Sequence, residues 1–186
     1  MKELLKKHRF TVADYHRMAE VGILSESDRV ELVEGEVVGM SPIGSSHAGC
    51  VNRLVRVLSK LAEGRALLGV QNPLGLSDFS EPQPDVVLLR PRADDYAESH
   101  PDPTDVLLLI EVADTSLEYD RDVKVPVYAR AGIPEVWLLD LNQGCVEVYR
   151  EPSPNGYRQT TNAWQDETLR PVSLPEISVR VDDLLA

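Results

Sequence analysis

Two carboxylates stand where a packed sheet should reject them. Glu111 interrupts the apolar run Leu107-Leu108-Leu109-Ile110-Glu111-Val112-Ala113. Strand alternation puts it on the face of Leu107, Leu109 and Ala113. An ionised carboxylate there costs on the order of several kcal/mol unless a cation or donor compensates it. Asp85 follows Pro84 and opens the strand Val86 to Leu89, sharing a face with Val87 and Leu89. If the two strands are neighbours, both acids come within reach of one hard cation, and Mg²⁺ is bound in this way, by one or two carboxylates plus water and substrate phosphate. Lys124 is the third member. Asp120, Val123, Lys124, Val127, Tyr128 and Ala131 recur at i, i+3, i+4, the rhythm of a buried helical stripe. The lysine therefore faces inward, where its ammonium can steady a phosphate in the transition state or orient an attacking water.

Each of these residues also has a plainer reading. Asp85 can be a turn residue after a proline, and Glu111 with Lys124 a structural ion pair. The three together favour chemistry, because inward acids and an inward lysine are costly without a purpose. Glu31 can hold the metal or orient a water, although hairpin carboxylates are more often solvated. His47, after Gly44-Ser45-Ser46 and before a helix, either stabilises the helix end or contacts substrate. Asp120 can cap, pair with Lys124 or touch the metal. Trp137 and Tyr128 read as core or interface residues.

The elements that must position these groups follow from periodicity. Thr11 caps a short helix, with Asp14 three residues on near its positive end. Arg29 to Met40 reads as a hairpin turning at or near Glu34-Gly35. From His47 to Ala62 the residues Val51, Leu54, Val55, Leu58 and Leu61 give an amphipathic helix. Ala66 to Val70, Val86 to Leu89 and Val106 to Val112 follow as strands, the last nearly all apolar and so central. A helix then spans roughly Asp122 to Ala131. Asp122 is its expected N-cap, Pro126 closes its first turn, and Gly132 ends it. Val136 to Asp140 is a buried strand, Cys145 to Tyr149 another. From Tyr157 onward the sequence offers short strand-like pieces (Ile177-Ser178-Val179) and a brief terminal helix. The order is helix, three strands, helix, strand. It predicts an α/β (α+β) sandwich around a mixed sheet, with the N-terminal hairpin and C-terminal strands as additions.

Composition bounds the function. At 186 residues the chain suits one domain over 1–186, with its core at about 29–150, and 42% hydrophobic residues can supply that core. The longest apolar run is strand-sized, so no membrane span is expected. The basic stretch Met1 to Phe10 has no apolar segment behind it, which argues against a secretory signal. Cys50 and Cys145 have no metal-type spacing and are expected reduced and buried, as in a cytoplasmic protein. The net charge of −12 excludes a strong, indiscriminate nucleic-acid binder, which needs a basic footprint. An acidic chain can still act on DNA through a local basic groove and a bound cation.

Glu31-Leu32-Val33-Glu34-Gly35-Glu36, His47, Pro84-Asp85, Glu111-Val112, the Asp120/Lys124/Tyr128 spacing and Gly132-Ile133-Pro134-Glu135-Val136-Trp137 together resemble the Uma-two-type restriction-endonuclease family of the PD-(D/E)XK nuclease superfamily. The resemblance runs from about Phe10 to the C-terminus. It implies a core of αβββαβ order and a Mg²⁺-dependent site, with Mn²⁺ as substitute, that hydrolyses phosphodiester bonds of DNA. Asp85 matches the motif aspartate and Glu111 the motif glutamate, the two metal ligands. The motif lysine normally lies two residues after the glutamate. That position is Ala113 here, and the family pattern places a lysine on the following helix, matched by Lys124. A homodimer is implied too; apolar residues near the end strands, together with Trp137 or the C-terminal segment, can supply its two-fold interface. The rival reading is a nuclease-fold protein that binds or regulates without catalysis.

Overall fold

The computed structural model describes residues 7–25 and 27–185. The first six residues of the basic N-terminal stretch lie outside these. Helix α1 (Val12–Glu20) starts at Thr11 with a reciprocal capping box to Asp14, as its sequence predicts. Strands β1 (Val30–Val33) and β2 (Glu36–Gly39) form a separate two-stranded hairpin. Its two turn residues, Glu34 and Gly35, both have positive φ, the conformation of a tight hairpin turn. Helix α2 (Ser45–Leu61) begins two residues before the predicted start at His47, with Gly44 as its N-cap, and buries Cys50, Val51, Leu54 and Leu58.

The main sheet has six strands in the order β3-β4-β5-β6-β7-β8. These are β3 (Leu67–Val70), β4 (Val86–Leu89), β5 (Val106–Ala113), β6 (Glu135–Asp140), β7 (Cys145–Ser153) and β8 (Gly156–Ala163). Only β5 and β6 pair in parallel, across the helical crossover between them; the other neighbours are antiparallel. The predicted mixed sheet and the αβββαβ order are therefore present. On one face α2 and the terminal helix α5 (Val181–Leu185) pack against Val86, Leu88, Leu108, Ile110, Val112 and Trp137. The opposite face buries Val87, Leu109, Ala113, Val136 and Leu138 against the crossover helix. Among the described residues no helix is long and apolar enough to cross a membrane.

Four expectations are corrected. Leu107 does not share the face of Glu111. The β4–β5 register shifts beside it, from Leu88↔Leu108 to Leu89↔Val106, so one extra residue interrupts the alternation and Leu107 packs on the α2 side. Asp122 is not a helix cap. The crossover starts as α3 (Leu117–Tyr119), widens into a π turn (Asp120–Lys124) and continues as α4 (Val125–Ala131). Pro126 accounts for the widening: its ring would clash with the Asp122 carbonyl in a regular helix, and instead the Val125 N–H reaches back five residues to the Asp120 carbonyl. Gly132 closes α4 as expected, in the left-handed conformation (φ 83°).

The tail holds more sheet than its sequence suggests. β8 is a full edge strand of eight residues paired along β7, with most of its side chains exposed. Farther on only β9 (Thr168–Leu169) and β10 (Val179–Arg180) pair, and Ile177-Ser178 lies outside them. Trp137, finally, is fully buried on the α2 face, its indole N–H donating to Glu135 at 2.7 Å. It belongs to the core and cannot serve an interface.

Candidate active site

A cleft of about 600 Å³ opens where the hairpin, the start of α2, the β3–β4 loop, the end of β5 and the crossover helix meet. It brings together all six residues singled out from sequence: Glu31, His47, Asp85, Glu111, Asp120 and Lys124 line it. Pairing of β4 with β5 carries the first step. Val86 lies opposite Ile110, so Asp85, one residue earlier, comes level with Glu111. The Asp85 main-chain N–H lies 3.3 Å from Glu111 Oε2, and the Val112 N–H donates to Asp85 Oδ2 at 2.9 Å.

The crossover helix carries the second step. Lys124 Nζ lies 2.6 Å from Glu111 Oε1 and 3.5 Å from Glu31 Oε2, with 5% of the residue exposed. It points inward, as its place on the stripe predicts. Glu31 departs from the solvated reading: it is 2% exposed. It also accepts the Gln83 N–H at 3.0 Å, because the chain around Glu81 bridges to Leu32 and folds over the hairpin. Asp120 is buried and takes the Ser116 hydroxyl at 2.6 Å. The ion pairs of Lys124 are with Glu111 and Glu31, not with Asp120.

His47 sits in the first turn of α2 with Nε2 3.0 Å from Asp85 Oδ2. A carboxylate only accepts, so Nε2 carries the proton. Nδ1 is buried without a hydrogen-bond partner among the described residues, as is the Tyr119 hydroxyl on the same cleft. Gln71 was not singled out from sequence. It donates to Asp85 Oδ1 at 3.1 Å from a left-handed backbone (φ 51°), an arrangement that is uncommon outside glycine and tends to gather at functional sites. Of the two readings of Tyr128, core or interface, the structure gives the core, with the ring fully buried; its hydroxyl nevertheless donates to Glu111 Oε1 at 2.5 Å. Neither contact has a periodic signature, since each depends on how a loop or helix docks onto β5.

The two principal acids are set in opposite directions. Burial raises the Glu111 carboxyl most, Lys124 offsets part of this, and the nearby charges of Asp120 and Asp85 add to it, so that it is pushed up to about 8. Asp85 is also penalised by burial, but the hydrogen bond and charge of His47, the Val112 N–H and Gln71 outweigh this and hold it below the usual carboxylate range. Asp120 is raised, chiefly by burial. Burial opposes the Lys124 charge, yet Glu111, Glu31 and Asp120 outweigh it and keep the ammonium protonated. His47 is raised, first by its hydrogen bond to Asp85.

The donor set fits a hard cation in one respect. Its acids are carboxylates crowded beyond what one lysine neutralises, and Mg²⁺ needs only one or two of them with water completing its shell. Among the described residues no three His, Cys, Asp or Glu side chains gather into a metal cage. Asp85 and Glu111, which meet across β4 and β5, are the residues that could hold such a cation.

No curated protein matches the chain. A crystal structure described as a putative nuclease belonging to DUF820, from Anabaena variabilis, superposes with a TM-score of 0.72 at 17% identity, covering 95% of this chain and 97% of that one. At that identity the likeness establishes the fold. The sequence profile of the Uma2 family, described as "Putative restriction endonuclease", matches residues 12–182. That span takes in the hairpin, the whole six-stranded sheet and every residue of the cleft, and the chain belongs to the Uma2 family.

Proposed function

We propose that the protein is a Mg²⁺-dependent endonuclease that hydrolyses phosphodiester bonds of DNA. Asp85, Glu111 and Lys124 are its catalytic residues, Glu31, His47 and Asp120 their accessories, and Mn²⁺ replaces Mg²⁺. The whole chain, 1–186, is read as one such domain. One observation supports this above the others: Asp85 and Glu111 meet across neighbouring strands in a cleft, with an ammonium 2.6 Å from Glu111. Asp85 and Glu111 would hold the cation, which when bound supplies Lewis acidity to a phosphoryl oxygen and an acidified water.

The remaining work falls to the chain. His47, Gln71 and the Val112 N–H keep Asp85 charged and fixed. Lys124 presents three N–H donors, of which Glu111 and Glu31 occupy two directions; the third serves the charge that develops on the phosphate. Glu31 and Asp120 keep that ammonium protonated in a buried position. We further read the active form as a cytoplasmic homodimer, consistent with buried, unpaired Cys50 and Cys145 and with Trp164 and Val172 exposed on the C-terminal side.

A second reading draws on charge. The chain carries −12 overall, and the cleft itself holds more acids than bases, which favours a nuclease-fold protein that binds without cutting. Plasmid nicking with Mg²⁺ or Mn²⁺, against a chelated control, separates the two. The catalytic reading expects metal-dependent nicking that drops about 10²-fold or more in Lys124→Ala, with metal binding retained. Metal binding without nicking of any DNA supports the binding-only protein.

A further inference from the structure

The crossover helix carries a ladder of polar residues four apart: Ser116, Asp120, Lys124 and Tyr128. Its last two rungs converge on one atom. Lys124 Nζ approaches Glu111 Oε1 to 2.6 Å, and the Tyr128 hydroxyl donates to the same oxygen at 2.5 Å. The other oxygen, Oε2, has the Asp85 N–H at 3.3 Å as its hydrogen-bond contact among the described residues. Two strong donors on one side therefore fix the plane of the carboxylate and leave Oε2 turned toward Asp85.

We propose that Tyr128 is a positioning residue for Glu111, holding Oε1 together with Lys124 so that Oε2 is presented to a divalent cation. The inference rests on the metal-binding role proposed for Glu111. It differs from a merely satisfied core tyrosine in what the hydroxyl does. A buried hydroxyl needs only an acceptor, and a backbone carbonyl would serve. Here the acceptor is the carboxylate buried in β5, and its partner on the same oxygen is Lys124, the one buried lysine among the described residues, four residues away. The ring is fully buried among Leu109, Val136 and Leu138 on the α4 face of the sheet, so it cannot swing away, and the hydroxyl is set by the core rather than by solvent. Groups that orient a metal ligand from behind are worth about 10–100-fold in metal affinity.

Tyr128→Phe keeps the ring and removes the oxygen. Mn²⁺ titrated into the full-length variant and followed by electron paramagnetic resonance should show a dissociation constant raised about tenfold or more over wild type, while the far-UV spectrum stays unchanged. A variant that is less stable yet binds Mn²⁺ as tightly as wild type overturns the proposal, because loss of packing alone predicts that result. A second measurement needs neither metal nor Tyr128→Phe. In wild type labelled at tyrosine, the Tyr128 hydroxyl proton should resonate far downfield and exchange slowly, and should move in Glu111→Gln; its absence, or its indifference to Glu111→Gln, overturns the clamp. Wild type that binds no Mn²⁺ but shows this proton removes the metal reading and leaves Tyr128 holding Glu111 for another purpose.

Discussion

Replacing Lys124 by methionine removes the one cation shared by buried Glu111 and Glu31 while keeping a chain of similar length. The ammonium lies 2.6 Å from Glu111 and 3.5 Å from Glu31, and both carboxylates are 2% exposed. Taking one partner from a buried pair costs about 3–5 kcal/mol because the remaining charge is uncompensated. For a chain of this size that lowers Tm by roughly 6–20 °C. The loss should depend on pH, and its sign follows from Glu111. This carboxyl is already pushed up to about 8 with the lysine present, above its unfolded value of 4.5, and losing the lysine raises it further. A group raised in the folded state holds a proton there that the unfolded chain releases. Its stabilising effect is full below the unfolded value and disappears as pH rises toward the folded value. Lys124→Met should thus lie closest to wild type near pH 5, with Glu111 neutral and still bonded to Tyr128. The gap should widen through pH 8 and beyond. Thermal unfolding followed by circular dichroism from pH 5 to 9, with chelator present, measures it. A loss of constant size across that range, or a variant as stable as wild type at pH 9, would refute the reasoning.

Two other outcomes follow. Mn²⁺ should raise the Tm of wild type by mass action, and Asp85→Asn should fold but lose that rise, since an amide next to His47 and Gln71 offers no charge to a cation; an undiminished Mn²⁺ shift removes Asp85 from the site. Sedimentation should show a concentration-dependent dimer, and a monomer at every concentration would leave nicking of single strands as the expected activity.

Much of this was legible because the central strands are uniformly apolar. β4, β5 and β6 stand out as runs of Val, Leu and Ile, so a carboxylate within such a run (Glu111) or at its head (Asp85) is conspicuous, while Lys124 stands out on the buried stripe of the crossover helix; the structure gathers all three in one cleft. What stayed hidden depends on contacts without periodicity. β8 reads as Tyr157-Arg158-Gln159-Thr160-Thr161-Asn162, polar because it is an exposed edge, and the pairing that makes it a strand comes from β7. The β5 irregularity at Leu107 and the π turn before Pro126 each insert one residue into a repeat, which a periodic reading passes over. Glu31 looked like a hairpin surface residue, and its burial comes from the Glu81–Gln83 segment folding across it. Gln71, in a loop, carried no signal at all.

The proposed metal site is one divalent cation held by Asp85 and Glu111. Crystals soaked in Mn²⁺ and measured at the manganese absorption edge test it most directly. An anomalous peak is expected between the two carboxylates, on the Oε2 side of Glu111 and away from Lys124. A peak elsewhere in the cleft, or none at a Mn²⁺ concentration that stabilises the protein in solution, would contradict it.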